Sequence, residues 1–238
     1  MTSDLKKRFE QFVTTLDGFE DIDVLLKRCD PADKRRADYL FSNRSIIVEQ
    51  KVLEVDPGDK AQKYLHRLME EGRLVAWGTP AVDRDSFRDL PDGERLHKNR
   101  LHKTSSRLEE IASAADKQTR DTRDIFSILP DAAGVLIILN QGAQNLIPDL
   151  FDYRIRDLFK TDSTDGSVRF PHHDMIMVIS ELHPVRIGPT TLLPTPRYVN
   201  STARQRDRAI AFTEKVTTAW AAFNGVSEMR GADPRAPW

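Results

Sequence analysis

Apolar residues recur along the chain with helical spacing in some segments and with strand spacing in others. At the start of the chain they recur every three or four residues, which predicts an amphipathic helix with Ser3 as its N-cap. The apolar positions of this helix are Leu5, Phe9, Phe12, Val13 and Leu16. A second, shorter helix is expected over 21–27. Two strands follow over 37–41 and 45–54, and Ser42-Asn43-Arg44 forms a hairpin turn between them.

The segment after the hairpin has the weakest periodicity of the sequence. A short helix is predicted over 61–69, and Gly72 ends it. Beyond it, proline, glycine and many charged residues interrupt the apolar pattern. Residues 55–104 are therefore interpreted as an insertion of loops and short elements.

The second half of the chain has the clearest pattern. The strongest helix is predicted over 105–129, with Ser105 or Ser106 as its cap and Pro130 at its end. The continuous apolar run 134–139 predicts a strand that is buried on both faces. The remaining predicted elements are a helix over 148–159 with proline at its first position, strands over 174–179 and 197–199, and a final helix over 203–223. This pattern indicates a single α/β (α+β) domain over 1–226 and a flexible tail over 227–238.

The composition excludes several classes of protein. The chain has 238 residues, of which 39% are hydrophobic, so it is long and apolar enough to form a substantial core. Cys29 is the only cysteine, which excludes an intrachain disulfide and a zinc site made of cysteines. The first residues lack the apolar segment of a secretion signal, and the longest apolar run, Ala132 to Leu139, is far shorter than the ~20 residues that span a bilayer. We therefore expect a cytoplasmic protein that does not contact a membrane.

Three charged residues interrupt the otherwise apolar hairpin strands. Alternation places Glu49 and Lys51 on one face of the second strand, and the hairpin can bring Asp38 beside Glu49. Such charges are costly between apolar neighbours unless they are paired or bind a charged ligand. Two adjacent carboxylates favour Mg²⁺ or Mn²⁺, next to which a lysine can orient or deprotonate water or stabilise a transition state. A salt bridge on a surface strand is the alternative.

Asp38 followed by Glu49-Gln50-Lys51 on the next strand resembles the active-site motif of the PD-(D/E)XK nuclease superfamily. The resemblance implies a restriction-endonuclease-like core with a mixed central sheet flanked by helices, an insertion after the active-site hairpin, and extra C-terminal strands and a helix. It also implies that Asp38 and Glu49 are metal ligands, that the backbone carbonyl of Gln50 completes the metal shell, and that Lys51 is the catalytic lysine. Gln118, on the apolar stripe of the core helix, and its neighbour Lys117 are implied as residues that reach the active site. For Gln118 the alternative is a core amide whose hydrogen bonds are satisfied within the fold.

The resemblance covers roughly residues 5–140, in the superfamily order of helix, three strands, helix and strand. Ala37 stands where the name of the superfamily has proline, and the segment 55–104 is longer than the core requires. His172-His173-Asp174 is a weaker metal candidate, because adjacent residues in a strand point to opposite faces.

The implied function is metal-dependent hydrolysis of phosphodiester bonds in nucleic acid, with DNA favoured. The alternative is a nuclease-derived module that binds nucleic acid or a protein without cleaving, and a structural or regulatory subunit is a third reading. The net charge of -1 leaves only local basic patches, such as 34–36 and 98–103, to contact phosphates. Cutting both strands of a duplex requires two sites, so we expect a homodimer.

Overall fold

The computed structural model describes residues 4–26, 35–56, 58–73, 87, 90, 92–128, 131–160, 169–187 and 190–226. The helices of these ranges are α1 (Leu5–Val13), α2 (Ile22–Leu26), α3 (Gly58–Glu70), α4 (Gly93–Phe126), α5 (Pro148–Phe159) and α6 (Arg206–Phe223). The strands are β1 (Glu20–Asp21), β2 (Tyr39–Phe41), β3 (Ile46–Leu53), β4 (Ala133–Asn140), β5 (Met175–Ser180), β6 (Val185–Ile187), β7 (Thr190–Leu192) and β8 (Arg197–Val199). None of these helices combines the length and the apolar character that a bilayer span requires.

The centre of the structure is a mixed, open sheet of six strands in the order β1-β2-β3-β4-β5-β8. Strands β3, β4 and β5 are parallel to one another, whereas β1, β2 and β8 pair antiparallel to their neighbours. All eight residues of β4 are buried, as the continuous apolar run predicts for a strand covered on both faces. Strands β6 and β7 form a separate two-stranded hairpin, which the sequence pattern does not predict.

Helices cover both faces of the sheet. On one face, α1 and α6 meet through aromatic contacts, with the rings of Phe12 and Trp220 5.0 Å apart between centroids. On the other face, α4 and α5 pack over β4 and β5 through an apolar cluster that includes Ile111, Phe151 and Ile138. Each of these four helices thus buries one apolar stripe against the strands.

The predicted hairpin between β2 and β3 is present. Ser42, Asn43 and Arg44 all have positive φ, at 53°, 55° and 63°, and the Ser45 N–H donates to the Ser42 carbonyl at 3.2 Å. This turn fixes a register in which Leu40 lies opposite Ile47. The register matters for function, because a shift by one residue would move every side chain to the other face of the sheet.

The start of α4 corrects the sequence prediction. The helix begins at Gly93, so Ser105 lies inside it and neither Ser105 nor Ser106 is its N-cap. The Ser105 hydroxyl instead donates to the carbonyl of Leu101, four residues earlier, at 2.6 Å. Within the segment interpreted as an insertion, the helix predicted over 61–69 is present as α3, and the first part of α4 is a helix that the sequence analysis did not predict. The helix also ends at Phe126, before the predicted end at residue 129.

Other predicted boundaries agree more closely. Helix α5 has the predicted bounds, and β5 and β8 lie within one residue of their predictions. The N-cap of α1 is Asp4, whose side chain accepts from the Lys6 N–H at 3.1 Å. Ser3, Cys29 and the predicted tail at 227–238 lie outside the described residues.

Two hydrogen bonds attach α4 to the chain just before β2. The Thr122 hydroxyl accepts from the Ala37 N–H at 2.7 Å, and the Gln118 amide donates to the Arg36 carbonyl at 2.8 Å. Both Ala37 and Thr122 are buried, so these bonds have no competition from water. They fix the start of the hairpin against the core helix.

We expect Thr122→Val to lower the free energy of unfolding by about 1–3 kcal/mol, because the buried Ala37 N–H would lose its acceptor. Thr119→Val is the matched control. Thr119 is also fully buried on α4, but its hydroxyl has no hydrogen-bond partner among the described residues, so its replacement should be neutral or stabilising. Urea denaturation of both variants checks this, and equal effects would contradict a role for the Thr122 bond.

Candidate functional site

Asp38 and Glu49 lie close together at the start of the β2–β3 hairpin. The regular register ends at the pair of Tyr39 and Val48, and the N–H of Asp38 donates to the Val48 carbonyl at 3.1 Å, so Asp38 is not paired directly opposite Glu49. The two carboxyl groups are near enough for the charge of Asp38 to raise the pKa of Glu49. Glu49 lies on the face of the sheet that α4 covers, because Ile47, two residues earlier, packs against that helix. The structure thus brings the two predicted metal ligands together.

A backbone contact fixes the Asp38 carboxylate. Its Oδ2 accepts from the Gln50 N–H at 2.6 Å, and the Asp38 N–H donates to the Val48 carbonyl at 3.1 Å. The side-chain carboxylate of Asp38 therefore binds the backbone of β3 at the point where a backbone carbonyl of a longer β2 would bind it. Burial raises the pKa of Asp38, while the Gln50 N–H and the Lys51 charge oppose that rise.

Glu49 is the most unusual residue of the site, because it is a fully buried carboxylate with 0% of its surface exposed. Its one ion pair is with the Lys51 ammonium, and neither carboxylate oxygen accepts a well-aligned hydrogen bond within the described ranges. Burial, and then repulsion by Asp38, raise the pKa of Glu49 to about 8, against the opposing effects of Lys51 and Gln118. Near neutral pH the Glu49 carboxyl group is thus protonated, unless additional positive charge beside it favours the ionised form.

Lys51 connects this buried pair to the surface. It lies two residues after Glu49 on the same face of β3, and 28% of its side chain is exposed. The ammonium group is therefore at Glu49 while the side chain remains accessible from solvent. This arrangement brings a mobile positive charge to the edge of the carboxylate pair.

Gln118 lies beside Glu49 and holds the neighbouring backbone. Its amide donates to the Arg36 carbonyl and is close enough to lower the pKa of Glu49. This contact joins the core helix, the start of the hairpin and the carboxylate. Thr122 completes the same attachment, and the sequence analysis did not single it out. The available signal was its polar side chain on the buried side of the core helix.

Gln50 is at the site through its backbone alone. Its side chain lies on the opposite face of β3, where its Oε1 accepts from the Tyr39 hydroxyl at 3.2 Å. The Gln50 N–H binds the Asp38 carboxylate. The Gln50 carbonyl, which is the predicted metal ligand, belongs to the same residue of β3.

The histidine pair lies elsewhere and is held by other residues. The His172 ring contacts the Arg123 guanidinium at 2.8 Å, and the backbone N–H of His172 donates to the Asp116 carboxylate at 2.8 Å. His173 is buried, and burial lowers its pKa to about 3, so the ring is neutral. These contacts connect α4 to the start of β5 and do not involve Asp38 or Glu49.

The carboxylate pair suits a cation that needs few protein ligands. In the described parts of the chain, no group of three or more His, Cys, Asp or Glu side chains is arranged to hold a metal. Mg²⁺ commonly keeps several waters and is bound through one or two carboxylates together with substrate phosphates. Two neighbouring carboxylates, one with both oxygens poorly bonded, fit that requirement.

Known proteins provide no further information about this site. No known protein family, curated protein or solved structure matches the chain. The function proposed below therefore rests on the residues of the site itself.

Proposed function

We propose that the chain is a metal-dependent nuclease of the PD-(D/E)XK type that hydrolyses phosphodiester bonds in nucleic acid, with DNA favoured. The observation that supports it best is the convergence of Asp38, Glu49 and Lys51 beside the β2–β3 hairpin. Lys51 pairs with Glu49, and the charge of Asp38 raises the pKa of Glu49. The element order α1, β1 to β3, α4 and β4 also follows the order of the superfamily core, with α2 and α3 as additions. We propose the restriction-endonuclease-like fold on the same grounds.

Asp38 and Glu49 would hold Mg²⁺ or Mn²⁺, with the Gln50 carbonyl as the proposed backbone ligand. The bound ion would lower the pKa of a water molecule and polarise a phosphoryl oxygen. The protein contributes the position of the two carboxylates, because the Gln50 N–H fixes Asp38 and Gln118 lies against Glu49. Positive charge at this point would also favour ionisation of Glu49.

Lys51 would act on the reacting groups. Its ammonium can orient the attacking water and stabilise the negative charge that develops on the phosphoryl oxygens. The water oxygen forms a bond to phosphorus while the bond from phosphorus to the leaving oxygen breaks. The partial exposure of the lysine is suited to this role, because the substrate must approach from solvent.

A module that binds without cleaving is the second candidate function. The ion pair between Lys51 and Glu49 favours it, because a lysine can neutralise a buried carboxylate without any metal. The two candidates differ in what the lysine does. In the nuclease it acts in the transition state, whereas in the binding module it supports the fold.

Removal of the Lys51 side chain separates these roles. For the nuclease we expect Lys51→Ala to lower cleavage by at least ~100-fold and to leave Mn²⁺ binding largely intact, because the lost interaction belongs to the transition state. Asp38→Ala should remove both cleavage and Mn²⁺ binding. Cleavage of plasmid, linear and single-stranded substrates, together with Mn²⁺ titration, measures the two effects.

Lys215→Ala serves as the control, since Lys215 is exposed on α6 and remote from the carboxylates. A parent protein that cleaves none of the substrates, combined with a large fall in the thermal midpoint of Lys51→Ala, would contradict the nuclease and favour the structural ion pair.

The raised pKa of Glu49 predicts an unusual dependence of stability on pH. Between the ordinary pKa of 4.5 and about 8, the folded state binds more protons at Glu49 than the unfolded state does. The stability of the metal-free protein should therefore fall as pH rises from 5 to 8, by on the order of a few kcal/mol. Asp38 contributes in the same direction.

Glu49→Gln should be relatively stabilised at pH 8 in metal-free buffer and should show a flatter pH profile, because its side chain does not ionise. Addition of Mn²⁺ should raise the thermal midpoint of the parent at pH 8 more than at pH 5, and should have little effect on the variant. Thermal unfolding across this range in EDTA and in Mn²⁺ measures both effects. Identical pH profiles for parent and variant would refute the assignment of a buried, titrating Glu49.

A further inference from the structure

Helix α3 and the first part of α4 carry a concentration of positive charge that the proposed cleavage chemistry does not use. Residues 93–107 contain five basic residues and one acidic residue, although the whole chain has a net charge of -1. These residues are Glu94, Arg95, Lys98, Arg100, Lys103 and Arg107. The charge is therefore local, and it requires an explanation of its own.

Part of this charge converges on the contact between the two helices. The Lys103 ammonium lies 5.5 Å from the centroid of the Tyr64 ring, and the Arg67 guanidinium lies 5.6 Å from it. Lys63 is the exposed neighbour of Tyr64 on α3. We call these three cations, Lys63, Arg67 and Lys103, the basic seam.

Neutralisation of the seam is incomplete. Arg67 pairs with Glu71 at 3.6 Å, but this pair is exposed and weak. Lys63 and Lys103 make no ion pair in the described ranges. The charges of these two lysines and of Arg67 repel one another, and a bound polyanion removes that repulsion.

The seam has a fixed relation to the candidate active site, because α4 is one continuous helix from Gly93 to Phe126. Lys103 and Gln118 are fifteen residues apart on it, which corresponds to roughly 22 Å along the axis at 1.5 Å per residue. At about 100° per residue, the two positions differ by only about 60° around the helix. The seam and the active site therefore lie on similar sides of one rigid rod.

We propose that the basic seam binds the phosphate backbone of nucleic acid several base pairs away from the scissile bond. At 3.4 Å per base pair, roughly 22 Å corresponds to about six base pairs between the two contacts. The inference rests on the proposed function, and it assigns the added α3–α4 hairpin a role in holding the substrate.

The surface chemistry favours nucleic acid over a lipid membrane. Leu68 and Leu96 are buried between α3 and α4, and no large hydrophobic residue of either helix is exposed in the described ranges. A membrane-binding helix would present apolar residues beside its basic ones, for insertion among the lipids. A basic surface without exposed large apolar residues suits contact with phosphates.

The test is the salt dependence of binding to a 30-base-pair fluorescent duplex in EDTA, where no cleavage occurs. Lys63→Gln/Lys103→Gln should reduce the slope of log K against log salt by about 1 to 2 and weaken binding roughly tenfold or more near 0.1 M salt. Lys63→Arg/Lys103→Arg keeps the charge and should retain the parent slope. Lys7→Gln/Lys215→Gln, on the helices of the opposite face, removes the same charge and should also retain it.

The outcomes separate this inference from the proposed function. Cleavage by the parent, with equal salt slopes for parent and Lys63→Gln/Lys103→Gln, would overturn the seam and leave the nuclease standing. Seam-dependent binding without cleavage in Mg²⁺ or Mn²⁺ would support the seam and contradict the nuclease. Absence of duplex binding by the parent, or binding to anionic lipid vesicles alone, would overturn the seam.

Discussion

A carboxylate buried in the middle of the sheet is the constraint on which the rest of the structure depends. Glu49 is fully buried and lies close to Asp38, so its ionised form is disfavoured twice, by desolvation and by like charge. Such a group persists only where the surrounding structure fixes it and supplies positive charge. Lys51 supplies part of that charge, and α4 and the β2–β3 hairpin fix the position.

The same constraint explains why α4 is attached so firmly to the hairpin. A helix that only covered the sheet would need an apolar stripe and nothing more. This helix also carries Thr122 and Gln118 on its inner side, where each bonds to the backbone before β2. Polar groups in such a position cost free energy unless they are satisfied, and here their satisfaction determines where Asp38 lies. Packing of the core and geometry of the site are therefore one problem in this fold.

Sequence alone predicted the elements whose burial is strong and local. The run at β4 and the proline at the start of α5 are signals contained in a few neighbouring residues, and both predictions agree with the structure. The β2–β3 hairpin was predictable for a similar reason, because a short turn and simple alternation fix its register. Alternation does not extend to Asp38, because the regular pairing ends at Tyr39 and the Asp38 N–H binds the Val48 carbonyl. The start of α4 was not predictable, because its first part has few apolar residues and Leu96 packs against α3, a partner helix that does not show in local spacing. The bond from Gln118 to Arg36 likewise depends on where the helix lies along the sheet.

The choice of lysine at position 51 limits how the buried carboxylate can be used. An arginine there could form two parallel hydrogen bonds to Glu49 and would commit both oxygens to a structural ion pair. A lysine presents a single compact charge on a flexible stem, and here it pairs with one carboxylate oxygen. The other oxygen remains buried without a well-aligned donor among the described residues. Neutralisation of the carboxylate by Lys51 is thus incomplete, and this incompleteness supports the proposal that a divalent cation joins the pair.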